Sequence, residues 1–405
     1  FSLAVVLSAV VVWGRELAFF GAAGCDGEDT ACERDSEYER KIIWTYALTQ
    51  MGHLYPVGNL SVPGVPAWLA TSPLLPQCLF ATLVDMGSVA SFSITERGAD
   101  GPKSLVASGG AHPVYASVTP DGRTLLVANY HGPDDIGDST GASVASFRIG
   151  AGCSLEPAAV LPQSGRSLVV PGRQASAHPH SFVAARGGLA YACDLGRDAV
   201  VTYAVGTDGG LQELSRTGAR PGDGPRHLVQ HPSHPLVFVV NELANSVTAY
   251  AEGQGGTLTL VSTASTLPPG VKPEGNKAAD IAISPDGSRI YASNRGHHNS
   301  VCVLEVWGDG ALRQLQDVEA PAFPRGMRLV REGSLLLVAG QHEGVVRSYF
   351  PRGEGGLAWS GTAVDGPPTT AALAVLDPAG DTFAEGTCPA GECGGKEGAS
   401  AEPSA

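Results

Sequence analysis

Gly224-Pro225-Arg226-His227-Leu228-Val229-Gln230-His231-Pro232-Ser233-His234-Pro235-Leu236-Val237-Phe238-Val239-Val240-Asn241-Glu242 reads as one β-hairpin with chemistry at its open end. A charged start (Arg226, His227) leads into an apolar strand, a Pro/Ser turn, a second apolar strand from Leu236 to Val240, and a polar finish at Asn241 and Glu242. A hairpin returns its two ends to the same edge, so Arg226 and Glu242 are expected side by side at one rim of a sheet.

Working outward, the hairpin is one of a series. A strand pattern ending in an aromatic or large apolar residue recurs as Ile42-Ile43-Trp44-Thr45-Tyr46, Val89-Ala90-Ser91-Phe92, Val144-Ala145-Ser146-Phe147, Val200-Val201-Thr202-Tyr203, Val247-Thr248-Ala249-Tyr250, Val301-Cys302-Val303-Leu304 and Val345-Val346-Arg347-Ser348-Tyr349. The spacing is about 45 to 56 residues, the length of a four-stranded propeller blade. Within each period lies a second hairpin, clearest at Tyr115–Asn129 and Ile281–Asn294, where Pro-Asp-Gly supplies the reversal: Pro presets φ and Gly accepts φ > 0. Degenerate copies run Phe182–Asp194, Leu228–Asn241 and Met327–Gly340. Helical periodicity of useful length is absent. The expectation is an all-β, seven-bladed β-propeller of four-stranded antiparallel blades over residues 39–376.

Residues 1–38 show no blade pattern and are expected to lie outside the ring, as an N-terminal segment that includes a signal peptide over residues 1–24 only if the chain is exported; residues 377–405, rich in Gly, Ala, Glu and Ser, read as a disordered tail. The apolar Phe1–Trp13 run is too short to span a bilayer and suits the hydrophobic region of a signal peptide. In the weakest blade, the first, the hairpin role falls to Val65–Asp85, with turns at Ser72-Pro73 and Leu75-Pro76; Thr370–Leu376 is the candidate closing strand. The acidic loop His131–Gly141 reads as a solvated turn.

Composition narrows the partners. Gly 53 and Pro 29 make about a fifth of the 405 residues, which suits many short strands and tight turns. A net charge of −14 argues against a nucleic-acid surface, and a small anionic ligand would need a local cationic pocket. The eight cysteines form no zinc signature. Cys78, Cys153, Cys193 and Cys302 sit singly in apolar runs and read as buried thiols, whereas Cys25/Cys32 and Cys388/Cys393 could pair if the chain is exported.

Aligning the repeats exposes two columns of polar residues. The start of the inner strand carries Ala111-His112, His178-Pro179-His180, Pro225-Arg226-His227, Ala279-Asp280 and Pro324-Arg325; the end of the next strand carries Asn129-Tyr130, Asp194-Leu195, Asn241-Glu242, Asn294-Arg295 and Gly340-Gln341. Equivalent positions in different blades converge at one mouth of the channel. Asp280 and Asn294 are equally suited to tying strands together, and His231 and His234 flank a turn. His178 and His180, two apart, point to opposite faces if extended, so one reaches the channel and the other packs between blades. No nucleophile elbow, P-loop or His-Glu-x-x-His motif is present: Gly137-Asp138-Ser139-Thr140-Gly141 has the Gly-x-Ser-x-Gly letters but lies in the acidic loop, without the strand and helix that an elbow joins. What remains is a His/Glu pair for proton transfer with Arg for anion and oxyanion binding, without cofactor or metal.

Gly224-Pro225-Arg226-His227 with Asn241-Glu242, the His178-Pro179-His180 strand start, Ala279-Asp280-Ile281 before Ser284-Pro285-Asp286-Gly287, and Pro324-Arg325-Gly326 before Ala339-Gly340-Gln341 resemble the lactonase family of seven-bladed propellers, which includes propeller-type 6-phosphogluconolactonase and 3-carboxymuconate lactonising enzyme. The resemblance covers about residues 88 to 376. It implies a catalytic set of His180, Arg226, Glu242 and Arg295, a small anionic lactone as substrate, and a cytoplasmic place in carbohydrate metabolism, with secretion the alternative if the signal-like start is used. Muconate cycloisomerisation needs the same groups, and a non-enzymatic binding platform is the reading outside catalysis. Mutual neutralisation of Arg226, Glu242 and Arg295, or their closure from solvent, would favour a structural clamp.

Overall fold

The computed structural model describes residues 16–22, 41–49, 51–130, 141–366 and 370–376. Seven four-stranded antiparallel sheets stand in a ring. The inner strands, one per blade, are Thr370–Leu376 (blade 1), Pro66–Ala70 (blade 2), Pro113–Val118 (blade 3), Pro179–Ala184 (blade 4), Pro225–Gln230 (blade 5), Asn276–Ile283 (blade 6) and Pro324–Val330 (blade 7). Each packs against the inner strand of the next blade around the axis.

The recurring Val-Ala-Ser-Phe pattern marks the third strand of each blade, and its side chains have separable jobs. The aromatic ends Phe92, Phe147, Tyr203, Tyr250 and Tyr349 are fully buried. The hydroxyl before them crosses to the neighbouring blade: Ser91 Oγ donates to Cys153 O (2.5 Å), Ser146 Oγ to Gly209 O (2.5 Å), Thr202 Oγ1 to Gly256 O (2.8 Å) and Ser348 Oγ to Gly52 O (2.8 Å). Burial of the ring and satisfaction of a turn carbonyl are thus achieved by adjacent positions, which explains why both recur. In the Pro285-Asp286-Gly287 turn, Gly287 has φ +75°, a conformation open to glycine at no steric cost.

Closure differs from expectation in one respect. Thr370–Leu376 is the innermost strand of blade 1, as expected, but its partner is Glu16–Ala22, which lies between it and Ile42–Leu48. Residues 16–22 therefore belong to the propeller rather than to a segment outside it. The run is buried along almost its whole length, so its sequence is continuously apolar and carries none of the alternation that marks a strand with one wet face. The Pro66–Ala70 and Cys78–Leu83 hairpin, assigned above to the first blade, opens blade 2 together with Ser88–Thr95 and Gly98–Ala107. Residues 1–15, Cys25, Cys32, most of the acidic loop (131–140) and 377–405 lie outside the described residues.

A second correction concerns two cysteines. Cys78 and Cys153 are disulfide-bonded, with Cα atoms 5.7 Å apart, because the turn after the third strand of blade 3 lies against the second strand of blade 2. Their apolar surroundings resemble those of free thiols, and only the blade-to-blade contact reveals the pairing. Cys193 and Cys302 are buried free thiols, pushed up to about 12 by burial. A bridge closing a loop of 75 residues contributes on the order of 2–4 kcal/mol. Thermal unfolding with and without reductant should show a clear downward shift of the midpoint in the reduced protein. An identical midpoint with both thiols titrating would mean the ring does not depend on this staple.

Candidate active site

Each inner strand carries one extra residue relative to its partner, a β-bulge near its start. In blade 4 Pro179 pairs with Asp194 and Ser181 with Cys193, leaving His180 between them; in blade 5 Arg226 is the extra residue, and in blade 7 Arg325. Blades 2, 3 and 1 place Ala67, Val114 and Ala371 there, and blade 6 has its extra residue between Ala278 and Ile281. A bulge bends the strand and re-aims one side chain. The preceding proline, at residues 66, 113, 179, 225 and 324, stands at the first position of its strand, where a missing N–H is tolerated. The ring thus repeats one aiming device and fills it with chemistry in blades 4, 5 and 7.

The devices of blades 4 and 5 meet at Glu242, which follows the second strand of blade 5, while Arg325 Nη1 donates to Gln341 Oε1 at 3.3 Å. Arg226 Nε and Arg295 Nη2 each donate to Glu242 Oε2 at 3.0 Å, Arg173 Nη2 donates to Oε1 at 2.6 Å, and His180 Nε2 lies 4.0 Å from Oε2. The structure therefore brings together all four expected residues, and Arg226 and Glu242 stand side by side as the hairpin required. His178 turns away: its Nδ1 is 3.2 Å from Tyr130 O and its Nε2 3.3 Å from Ser176 Oγ. Its ring stacks on Tyr130 at 4.4 Å, and His180 meets Tyr130 edge-on at 5.2 Å.

Beneath this cluster the channel is closed. Trp68 of blade 2 and His227 of blade 5 come from well-separated blades, yet their ring centroids are 5.2 Å apart; Tyr115 of blade 3 stacks on Trp68 at 4.3 Å and lies 5.0 Å from His227. These rings form an aromatic floor under the cluster. His227 Nδ1 is 2.8 Å from Asp280 Oδ1, while Asp280 Oδ2 accepts the Met327 N–H at 2.7 Å, so Asp280 ties blades 5, 6 and 7 together. The asparagines likewise serve structure: Asn294 Nδ2 donates to Thr266 O and Ser300 Oγ, Asn129 Nδ2 to Ser108 O and Ser143 Oγ, and Asn241 Nδ2 to Ser246 Oγ and Thr248 Oγ1. His231 accepts the N–H groups of Ser233 and His234 and is a turn residue.

Electrostatics separates this cluster from a neutral clamp. Arg226, Glu242 and Arg295 are buried and ion-paired, closed from solvent as a structural clamp would be, but among the described residues three guanidiniums meet the Glu242 carboxylate and their charge exceeds its own. Burial alone would raise the Glu242 carboxyl; Arg173, Arg295 and Arg226 outweigh it and hold it well below 4.5. Arg226, buried and crowded by Arg295, is lowered to about 9. His180 is held well below 6.5 by burial, then by Arg226 and His227, and is neutral near neutral pH. His180 Nδ1 and Arg173 Nη1 are buried without a hydrogen-bond partner among the described residues. Positive charge in excess of negative, in a low-dielectric pocket, is a site for an anion.

Arg173 was not legible in the sequence. It comes from the loop at 163–178 between blades, outside both repeat columns, and no periodicity singles it out. The channel-filling role of Trp68 and Tyr115 was equally hidden, since it depends on which blades face each other.

The family model described as "Lactonase, 7-bladed beta-propeller" matches residues 35–373. A 6-phosphogluconolactonase of Formosa agariphila is 29% identical over 63% of this chain and 71% of its own length, and one of Cronobacter sakazakii is 34% identical over 40% of this chain and 50% of its own. The solved structure of a periplasmic gluconolactonase from Pseudomonas aeruginosa superposes with a TM-score of 0.77 at 25% identity, covering 90% of this chain and 99% of that one. With a family match over most of its length and the same ring of blades, this chain is a member of the lactonase family of seven-bladed β-propellers.

Proposed function

We propose that this protein hydrolyses a sugar-derived lactone, most specifically 6-phosphogluconolactone to 6-phosphogluconate, with His180 as general base. The observation that carries the reading is the excess of positive charge around Glu242, among the described residues, beside a neutral histidine nitrogen with no hydrogen-bond partner among them. In the reaction, His180 Nδ1 accepts a proton from water as its oxygen attacks the lactone carbonyl. The carbonyl electrons move onto oxygen, and the guanidiniums of Arg226 and Arg295 stabilise that oxyanion with charge-assisted hydrogen bonds. Collapse breaks the bond from carbonyl carbon to ring oxygen, and His180 returns its proton to the departing alkoxide. Glu242, too firmly ionised to be an effective base, orients the guanidiniums. An incoming anionic substrate offsets part of their field and raises the basicity of His180 where it is needed.

Purified protein should accelerate loss of 6-phosphogluconolactone above its spontaneous rate. Because the free-enzyme histidine stays neutral, kcat/KM should hold level from about pH 8 down to about pH 5.5, passing the ordinary histidine value without a break. An absence of acceleration sinks the reading, and a fall centred on the ordinary histidine value removes His180 as the base. The structure from Pseudomonas is named a periplasmic gluconolactonase, and the Cys78–Cys153 bridge suits an oxidising compartment; both support export as the alternative to a cytoplasmic location.

A further inference from the structure

The two oxygens of Glu242 divide the pocket. Oε2 faces Arg226, Arg295 and His180, the groups assigned to the reacting carbonyl, whereas Oε1 faces Arg173. Arg173 differs in kind from the other two arginines. It stands on a loop rather than a strand, and its side chain is 24% exposed against 2% for Arg226 and 4% for Arg295. Its Nη2 also lies 3.5 Å from Tyr130 Oη, and its Nη1 is buried without a hydrogen-bond partner among the described residues.

The loop is nonetheless fixed. Gln174 Nε2 donates to Leu195 O (2.9 Å) and to Asp198 Oδ1 (2.7 Å), and Gln174 Oε1 accepts the Val170 N–H (3.0 Å). Asp198 also accepts the N–H groups of Gly222 (2.7 Å) and Gly224 (2.8 Å), the residues that lead into Pro225-Arg226. One buried carboxylate therefore sets the position of both the loop arginine and the strand arginine.

We propose that Arg173 is the specificity-determining residue of this pocket, gripping through Nη1, with the Tyr130 hydroxyl beside it, the phosphate that the lactone carries away from its carbonyl. The assignment rests on the hydrolytic reading above. Among the described residues, the three guanidiniums on Glu242 leave an excess that a phosphate monoester matches, since it carries about −1.5 to −2 near neutral pH where a second carboxylate carries about −1. The planar fork that holds Glu242 with one edge presents the other edge to the phosphate oxygens.

The test compares wild type, Arg173→Ala and Arg173→Lys on 6-phosphogluconolactone and on the unphosphorylated glucono-1,5-lactone, with calorimetric binding of 6-phosphogluconate and gluconate measured alongside. Wild type should favour the phosphorylated lactone. Arg173→Ala should reduce the kcat/KM ratio between the two lactones by roughly 10- to 100-fold, the effect of losing a charged hydrogen bond, mainly through KM, and Arg173→Lys should restore part of it. Affinity for 6-phosphogluconate should fall in parallel. An unchanged ratio overturns the proposal, as does a loss confined to kcat with product affinity intact, which would leave Arg173 a holder of Glu242 alone. If wild type hydrolyses neither lactone yet binds 6-phosphogluconate through Arg173, the specificity assignment stands and the hydrolytic reading falls; binding of neither product overturns both. Should the alanine variant fail to fold, the lysine variant alone decides, by retaining or losing the ratio.

Discussion

Arg226→Met should lower kcat for lactone hydrolysis by about 10²–10³-fold, the scale of removing one oxyanion donor, while leaving the ring folded. The separation of the two effects is the informative part. Arg226 is buried beside Arg295 and lowered to about 9, with burial the largest cause and Arg295 the next, so its charge is held at a cost. Glu242 keeps Arg173 and Arg295 when Arg226 is gone, and methionine retains much of the apolar stem. Replacing a buried charge by a packed apolar side chain is often neutral or stabilising, against which the Ala279 carbonyl loses its 2.6 Å donor from Arg226 Nη1. The thermal midpoint should stay within about 3 °C of wild type, since about 1 kcal/mol moves a large domain by only a few degrees. Turnover at the wild-type rate would remove Arg226 from the reaction. A collapse of the fold instead would identify the cluster as a clamp, the reading on which the propeller is a binding platform.

Glu242→Gln should do the opposite to stability, and harm activity as well. It leaves Arg173, Arg226 and Arg295 without the carboxylate that all three share, and breaking a buried pair by removing one partner costs about 3–5 kcal/mol. The pH dependence gives this a sign. Burial raises the Glu242 carboxyl, but the three guanidiniums win and its folded value lies well below 4.5. A group depressed on folding contributes stability that is fully present above its unfolded value and is lost as pH falls through the folded value. The gap between wild type and Glu242→Gln should therefore be widest near neutrality and narrow only in acid, below the ordinary glutamate range. Denaturant titrations at neutral and acid pH measure it directly. A gap that is constant with pH would mean that shape, rather than charge, carries the difference.

The two substitutions together distinguish a working pocket from a strut. In a working pocket Arg226 is dispensable for folding and Glu242 is not, because the arginines are in excess and the carboxylate is scarce. A strut would make the two equally necessary to folding and irrelevant to turnover.

Much of this site was readable before any coordinates. The hairpin alone pairs Arg226 with Glu242; alignment of internal repeats brings the His178-Pro179-His180 and Asn294-Arg295 positions to the same channel mouth, and the family resemblance singles out His180 and Arg295 among them. What defeated the reading was either burial on both faces or contact between blades. Glu16–Ala22 is so thoroughly covered that its sequence has no strand alternation, and it reads as part of a segment outside the ring. Cys78 and Cys153 looked like ordinary core thiols because their neighbours are apolar, and they pair only through the meeting of blades 2 and 3. Arg173 lies in the connection from blade 3 to blade 4, outside both repeat columns, so repetition, the strongest signal in the chain, says nothing about it.

By itself, then, the sequence determined the seven blades, their third strands and the open-end chemistry of the blade 5 hairpin, because periodic patterning and turn residues act locally on the backbone. Only the tertiary structure decided that a Pro-flanked bulge is the device that aims His180, Arg226 and Arg325, and that Trp68, Tyr115 and His227 close the channel beneath them. It alone brought a third arginine to Glu242. Those outcomes depend on ring closure, which sets side chains far apart in sequence within hydrogen-bond distance and removes the water that would otherwise screen their charges.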